Sequence, residues 1–217
     1  MSKKSKIDRR TIIKAGAGFA ASAVTASVIA KPSNLTPTNP EGPFYPKHQQ
    51  ADKDTDLTLI AGNAERAQGK VIRVTGQVLD EKGNPVEGAL VDIWQANTFG
   101  RYHHEDDTST APEDPNFQGW GMVKTDAEGR YSFTTIKPGA YKVDGNWRRP
   151  PHIHYKVSRR GYHELITQMY FAGESLNETD RLLLDVAEED RDQLVVDFQE
   201  IDDTPHGEFP IVLAKVV

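Results

Sequence analysis

The sequence predicts an all-β fold: a β-sandwich of mostly antiparallel strands with long loops and an extended N-terminal arm. Three observations carry this expectation. Short stretches alternate apolar and polar residues, as in VIRVTGQVLD (71–80), which is the pattern of a strand with one buried face. Clusters of glycine, proline and aspartate punctuate those stretches, as in DEKGNP (80–85) and TDAEG (125–129), and such residues favour turns. No heptad pattern, internal repeat or low-complexity tract competes with this reading.

The first 30 residues stand apart. Six basic residues, Lys3, Lys4, Lys6, Arg9, Arg10 and Lys14, precede a run of small and apolar residues that ends in Val28-Ile29-Ala30. This order is the layout of an export signal cleaved after Ala30. The run over 15–30 is short and weakly apolar for a bilayer span, so no stable membrane span is expected once the signal is removed. Arg9-Arg10 followed by Thr-Ile-Ile-Lys resembles the twin-arginine export signal. That resemblance implies a periplasmic or extracellular protein, exported already folded and with any cofactor in place.

Residues 31–69 read as an N-terminal arm and 70–217 as the sandwich domain. Within the arm, KPSNLTPTNPE (31–41) is a proline-rich extended linker, GPFYP (42–46) a turn-rich aromatic segment, and 47–69 a loop or short helix. In the domain, 71–80 and ALVDIWQA (89–96) read as a hairpin joined by a turn. MVKTDAEGRYSFTTIKPGAY (122–141) repeats strand, turn and strand, then closes on a Pro-Gly turn. HIHYKV (152–157) and LITQMYF (165–171) read as two strands across an Arg-Gly turn. The acidic first half of VAEEDRDQLVVDFQE (186–200) favours helix or loop, and IVLAKVV (211–217) closes the chain as a strand.

Composition narrows the chemistry. Charged residues make up 27% and hydrophobic residues 37% of the 217, which suits a soluble globular body. The formal net charge is −6, and no basic patch dominates, which argues against a nucleic-acid partner. Residues 1–30 hold six basic residues and one acid, so the chain without them is more acidic still and does not favour an anionic membrane surface. There are no cysteines, so disulfides, thiolate nucleophiles and sulfur-bound zinc are excluded. A metal would have to be held by His, Tyr, Asp or Glu.

RRPPHIHYKV (148–157) carries the strongest chemical signal. In a strand, side chains alternate between faces. His152, His154 and Lys156 therefore share one face, while Ile153, Tyr155 and Val157 supply an apolar core face on the other. Two imidazoles on one rigid strand can give a metal two nitrogen ligands, although a bare His-x-His also fits two hydrogen-bonded histidines. A carboxylate from Glu105, Asp106 or Asp107 would complete a ferrous facial triad. Tyrosinate is the other available oxygen ligand, since a trivalent cation can hold a phenolate near neutral pH.

WQANTFGRYHHED (94–106), DPNFQGWGMVKTDAEGRYSFTTIKPGAY (114–141) and WRRPPHIH (147–154) occur in that order. Together they resemble the intradiol ring-cleavage dioxygenases, and the protocatechuate type most. EGPFYP (41–46) resembles a segment at the mouth of the family's active site. The resemblance implies an Fe(III) enzyme that cleaves a catechol-type diol with O2 to a cis,cis-muconate-type dicarboxylate. It places the iron ligands at Tyr102, Tyr141, His152 and His154, with Tyr141 the ligand that leaves when substrate binds. It makes Arg149 the active-site arginine, and it places substrate contacts at Gly42, Pro43 and Gln168. The family reads Trp-Arg-Pro where this chain has Trp-Arg-Arg-Pro, so the count from Trp147 selects Arg148 and the count from the histidines selects Arg149. The implied partners are a catechol and O2, within a homo-oligomer or beside a related α-type subunit. His103 and His104 read as rim residues, and Trp94, Trp120 and Trp147 as packing. A competing reading remains: the hairpin grammar of 70–141 also resembles non-catalytic transthyretin-like and peptidase-associated sandwich modules, which need no metal.

Overall fold

The computed structural model describes residues 35–48, 50 and 52–217. The expected signal over 1–30 lies outside them. In chain order the strands are β1 (Val71–Asp80), β2 (Leu90–Trp94), β3 (Trp120–Lys124), β4 (Arg130–Ile136), β5 (Tyr141–Asp144), β6 (Trp147–Arg149), β7 (His152–Ser158) and β8 (Leu165–Phe171). One helical turn, α1 (Arg181–Leu184), precedes β9 (Val195–Val196), β10 (Phe198–Ile201), β11 (Thr204–Glu208) and β12 (Ile211–Leu213). No helix among the described residues is long and apolar enough to cross a membrane.

Within the described residues the strands form two five-stranded sheets and a separate β5–β6 ribbon. One sheet is centred on β1, which pairs antiparallel with β4 on one edge and parallel with β11 and β12 on the other. The second runs β3–β2–β7–β8–β9. The two sheets bury their facing side chains in one core. Ile72, Val74 and Val78 of β1 enter it from one side, and Ile153, Tyr155 and Val157 of β7 from the other. Burial of each such side chain is worth about 1.5–3 kcal/mol, so the core face of β7 holds its strand firmly against the opposite sheet.

Two expected hairpins do not form. β1 and β2 lie in different sheets, as do β3 and β4. After β1 the turn closes locally: Asp80 N–H donates to Asn84 O at 2.8 Å, and Val86 N–H to Val78 O at 2.9 Å. The chain then crosses to the other layer. A tight turn rich in Asp, Gly and Pro looks the same in sequence whether its strands pair or part. The β7–β8 hairpin does form, in the register His152↔Tyr170 and His154↔Gln168. Two further hairpins, β5–β6 and β10–β11, have no counterpart in the sequence reading. Their turns run through Gly145 at φ 43° and through Asp202 and Asp203 at φ 50° and 62°.

The acidic segment after α1 forms a 3-10 turn over Glu188–Gln193. The last strand is shorter than expected and ends at Leu213. The described part of the arm contains no helix and is docked rather than loose. Thr36 N–H donates to Val212 O and Asn39 N–H to Ile166 O. Thr167 Oγ1 and Gln168 Nε2 donate to the Pro37 and Pro40 carbonyls. Proline lacks a backbone donor but keeps its acceptor, so a Pro-rich segment can still be pinned by its carbonyls.

Candidate active site

The strand alternation decides where the histidines go. Ile153 and Tyr155 are fully buried in the main core, while His152 and His154 are 2% and 3% exposed on the opposite face. That face is covered by a second cluster made of Trp94, Ala96, Tyr102 and Trp120, with Phe44, Tyr45, Met122 and Tyr141 packed on it. The Trp94 ring stacks on His154 with centroids 4.8 Å apart and planes 11° apart. Phe44 stacks on Tyr102 at 4.6 Å. The imidazoles are thus gripped by aromatic rings.

Tyr102 reaches them from a loop that several motif residues shape. Asn97 Oδ1 accepts from the N–H of Phe99 and of Arg101 at 2.9 and 3.1 Å, and Asn97 O accepts from Gly139 N–H at 2.9 Å. One asparagine therefore ties the Tyr102 loop to the loop before Tyr141. The two loops touch backbone to backbone. A Cβ on Gly100 would stand 2.6 Å from Ala140 O, and one on Gly139 would stand 2.4 Å from Thr98 O, so both positions need glycine. Gln95 bridges onward, accepting from Thr135 Oγ1 and donating to Ile136 O. Asp107 Oδ2 accepts from Tyr102 N–H at 2.7 Å and fixes the tyrosine itself.

The result is a tight cluster of donors. Tyr102 Oη lies 3.3 Å from His152 Nε2 and 3.1 Å from His154 Nε2. His152 Nδ1 is 2.7 Å from Pro150 O. A carbonyl only accepts, so Nδ1 carries the proton and Nε2 presents its lone pair to the cluster. Tyr141 lies alongside, its ring 5.7 Å from that of Tyr102 and 5.6 Å from that of His152. Burial first, and the Arg149 charge second, hold both imidazoles well below their usual pKa and therefore neutral. Burial raises both phenols, and the Arg149 charge partly opposes that rise.

This set fits a ferric ion. Neutral imidazole and tyrosine oxygen are its ligand types. Tyr102 Oη lies 3.3 and 3.1 Å from the two Nε2 atoms, close enough for one ion to be held by all three. The buried phenols require a nearby cation to lose their protons. The carboxylate alternative is not realised. No group of three or more His, Cys, Asp or Glu comes together among the described residues. Glu105 and Asp106 pair with Lys47 at the surface, and Asp107 is spent on the Tyr102 backbone.

A cleft of about 610 Å³ opens beside the cluster. Gly42, Pro43 and Phe44 of the arm form one wall. Tyr141, Val143, Trp147, Arg149, His154 and Leu182 line the rest of its inner part. Of the two candidate arginines, Arg149 is 3% exposed and lines this cleft, while Arg148 points to solvent. The β-strand register makes the difference, because β6 places Arg149 opposite Tyr141 and Arg148 opposite Lys142. Gln168 is fully buried and lies behind the cleft, where its Oε1 accepts from Arg149 Nη2 at 2.7 Å. His103 is exposed, but His104 is not a rim residue: its side chain is enclosed, edge-on to Phe44, with Nε2 3.1 Å from Tyr45 O. Trp120 packs in the second cluster and bonds Asp92, while Trp94 packs directly on a candidate ligand. Asp180, which no motif signalled, lies fully buried against Arg149.

Residues 40–213 match the protein-family model described as Dioxygenase. The chain is 45% identical over 179 residues to the protocatechuate 3,4-dioxygenase beta chain of Burkholderia cepacia, covering 79% of this chain and 76% of that one. It is 34% identical over 142 residues to a catechol 1,2-dioxygenase of Candida albicans, covering 59% of this chain and 44% of that one. It therefore spans less than half the length of the latter. Among solved structures it is similar to the dioxygenase domain of a dioxygenase–carbohydrate-binding fusion from Streptomyces sp. SirexAA-E. That match has a TM-score of 0.62 and 29% identity, and covers 84% of this chain and 100% of that one. The chain belongs to the intradiol ring-cleavage dioxygenase family, and the non-catalytic sandwich reading is set aside.

Proposed function

We propose that this chain holds Fe(III) through Tyr102, Tyr141, His152 and His154 and cleaves a catechol-type diol with O2 between its two hydroxylated carbons. The product of that reaction is a cis,cis-muconate-type dicarboxylate. The observation that carries the reading is the convergence of Tyr102 Oη on both Nε2 atoms, at 3.3 and 3.1 Å.

A ferric ion held by these four side chains would supply Lewis acidity toward the diol's two oxygens. The chain's own residues do the rest. Tyr102 is 4% exposed and tied by Asp107, so it suits a ligand that stays. Tyr141 is half-buried and lines the cleft, so it suits the ligand that gives way. Burial holds its free phenol above the usual pKa, so on release Tyr141 Oη takes up a proton at neutral pH and can receive it from a substrate hydroxyl. The apolar side chains Phe44, Val143, Trp147 and Leu182 offer a flat ring its fit and keep water back. Arg149 places a fixed cation beside the ring, where negative charge must be accommodated.

Two further readings stand beside this one. The twin-arginine-like leader supports export with the iron already bound. The similarity to a chain named as a beta subunit supports a multi-chain assembly, either a homo-oligomer or a pairing with a related α-type chain. The test of function is initial-rate O2 uptake by iron-loaded protein across catechol, protocatechuate, hydroxyquinol and chlorocatechols. Uptake with at least one diol and a muconate-type product is expected. No uptake with any of them, at one iron per chain, would remove the proposal.

A further inference from the structure

We infer that Asp180 is a positioning residue for Arg149, holding the guanidinium in the one orientation that directs its charge at the tyrosine–histidine cluster. This rests on the reading of the cluster as the reaction centre.

The contact is two-pronged. Arg149 Nε donates to Asp180 Oδ1 and Nη2 donates to Oδ2, each at 3.0 Å. Such a fork fixes the guanidinium plane as well as its distance. Both partners are enclosed, with side chains 4% and 0% exposed, so water does not compete for the fork. The second Nη2 hydrogen is shared between Gln168 Oε1 at 2.7 Å and Tyr170 Oη at 2.9 Å. These bonds engage Nε and Nη2 and leave Nη1 out of the fork.

The carboxylate is itself anchored. Leu183 N–H donates to Oδ2 at 3.3 Å, as Asp180 caps α1, and Trp147 Nε1 donates to Oδ1 at 3.3 Å. Gln168 is in turn held to the arm at Pro40 O, at 3.0 Å. Arg149 therefore hangs between three fixed elements: β8, the start of α1 and the arm. A free arginine side chain has many rotamers open to it, and a cleft opens beside this one. The fork, together with the Gln168 and Tyr170 bonds, holds the head against the cleft wall. Arg149 lines the cleft with Tyr141 and His154 and faces Tyr141 across the β5–β6 ribbon, so its orientation sets where its charge falls in the site.

Asp180→Asn is the sharp test. It keeps the size of the side chain but sets an NH2 against Nη2 and Leu183 N–H, donor against donor. Hydrogen exchange of the Arg149 Nε–H is followed by 15N NMR in the metal-free full chain, the signal being assigned by its absence in Arg149→Lys. Steady-state O2 uptake is followed in the iron-loaded protein. In Asp180→Asn we expect exchange to quicken by at least about tenfold and kcat to fall by about 10- to 100-fold, with KM changed far less. Asp180→Glu, which keeps the charge, should restore part of both. Unchanged Nε–H exchange, or a kcat loss no greater than the loss of folded protein, would overturn the inference. If Asp180→Asn does not fold, Asp180→Glu decides alone: altered exchange and kcat support the inference, and wild-type values of both overturn it. If the wild-type protein turns over no diol, the reading of the site falls, while the exchange measurement still decides whether Asp180 holds Arg149.

Discussion

Tyr102 and His154 are separated by 52 positions in the chain, yet Tyr102 Oη lies 3.1 Å from His154 Nε2. Burial raises the phenol and lowers the imidazole, so neither is charged and without a cation the contact is a hydrogen bond. A cation shared by the two atoms would displace that proton and favour the phenolate. The pair therefore predicts its own dependence on metal. In His154→Ala, iron retained per chain after dialysis should fall by at least about tenfold, as measured by metal analysis against protein concentration. Full retention would show that the metal sits elsewhere.

The two neighbouring arginines should behave differently. Arg149→Ala leaves Asp180 buried and unpaired, which costs about 3–5 kcal/mol. Arg148→Ala removes an exposed side chain and should stay within about 0.5 kcal/mol of wild type. Urea unfolding of both variants, together with O2 uptake by Arg148→Ala at the wild-type rate, checks the pair. Equal destabilisation would contradict the placement of Arg149.

The neutral imidazoles set a pH dependence for the metal-free protein. Burial, then the Arg149 charge, keeps His152 and His154 unprotonated in the folded state well below the usual range. The unfolded chain takes up protons on them below about pH 6.5. Folding stability is therefore fully present above about pH 6.5 and falls as pH drops toward the folded values, by up to about 1.4 kcal/mol per pH unit for each histidine. Denaturant titrations at pH 7 and pH 5 measure the slope, and His152→Gln should reduce it. A stability that rises on acidification through this window would contradict neutral buried imidazoles.

The arm wall depends on one glycine. Gly42 has φ 77°, and a Cβ there would stand 3.4 Å from His154 Cε1. A non-glycine residue in this left-handed conformation costs about 1–2 kcal/mol. Gly42→Ala should lower the melting midpoint by that equivalent and, on the proposed reading of His154, weaken iron retention, because the new methyl group presses on the His154 ring. Alanine at wild-type stability would mean that the arm is free to move away from the site.

The sequence made the local features legible. Alternation along 152–157 correctly separated the core face from the histidine face, because a strand's two faces follow from its backbone alone. Both tyrosines came from the family resemblance of the GRYHH and KPGAY segments and not from any local pattern; in the fold those two segments meet, because Gly100 and Gly139 let two loops touch and Asn97 ties them. What depended on long-range pairing was not legible. The 80–85 turn gives no sign that its strands separate into two layers. Asp180 sits in an unremarkable polar stretch, and only the fold carries it to Arg149. The stacking of Trp94 on His154 and of Phe44 on Tyr102 likewise joins segments that share no local pattern.

Tyr102, Tyr141, His152 and His154 are proposed to hold ferric iron. The most direct test is the visible absorption spectrum of the iron-loaded protein, because phenolate bound to Fe(III) gives a red-brown charge-transfer band. That band is expected at one iron per chain, weakened or shifted in Tyr102→Phe and in Tyr141→Phe and changed on adding a catechol. Protein that carries one iron per chain yet shows no visible band would contradict it.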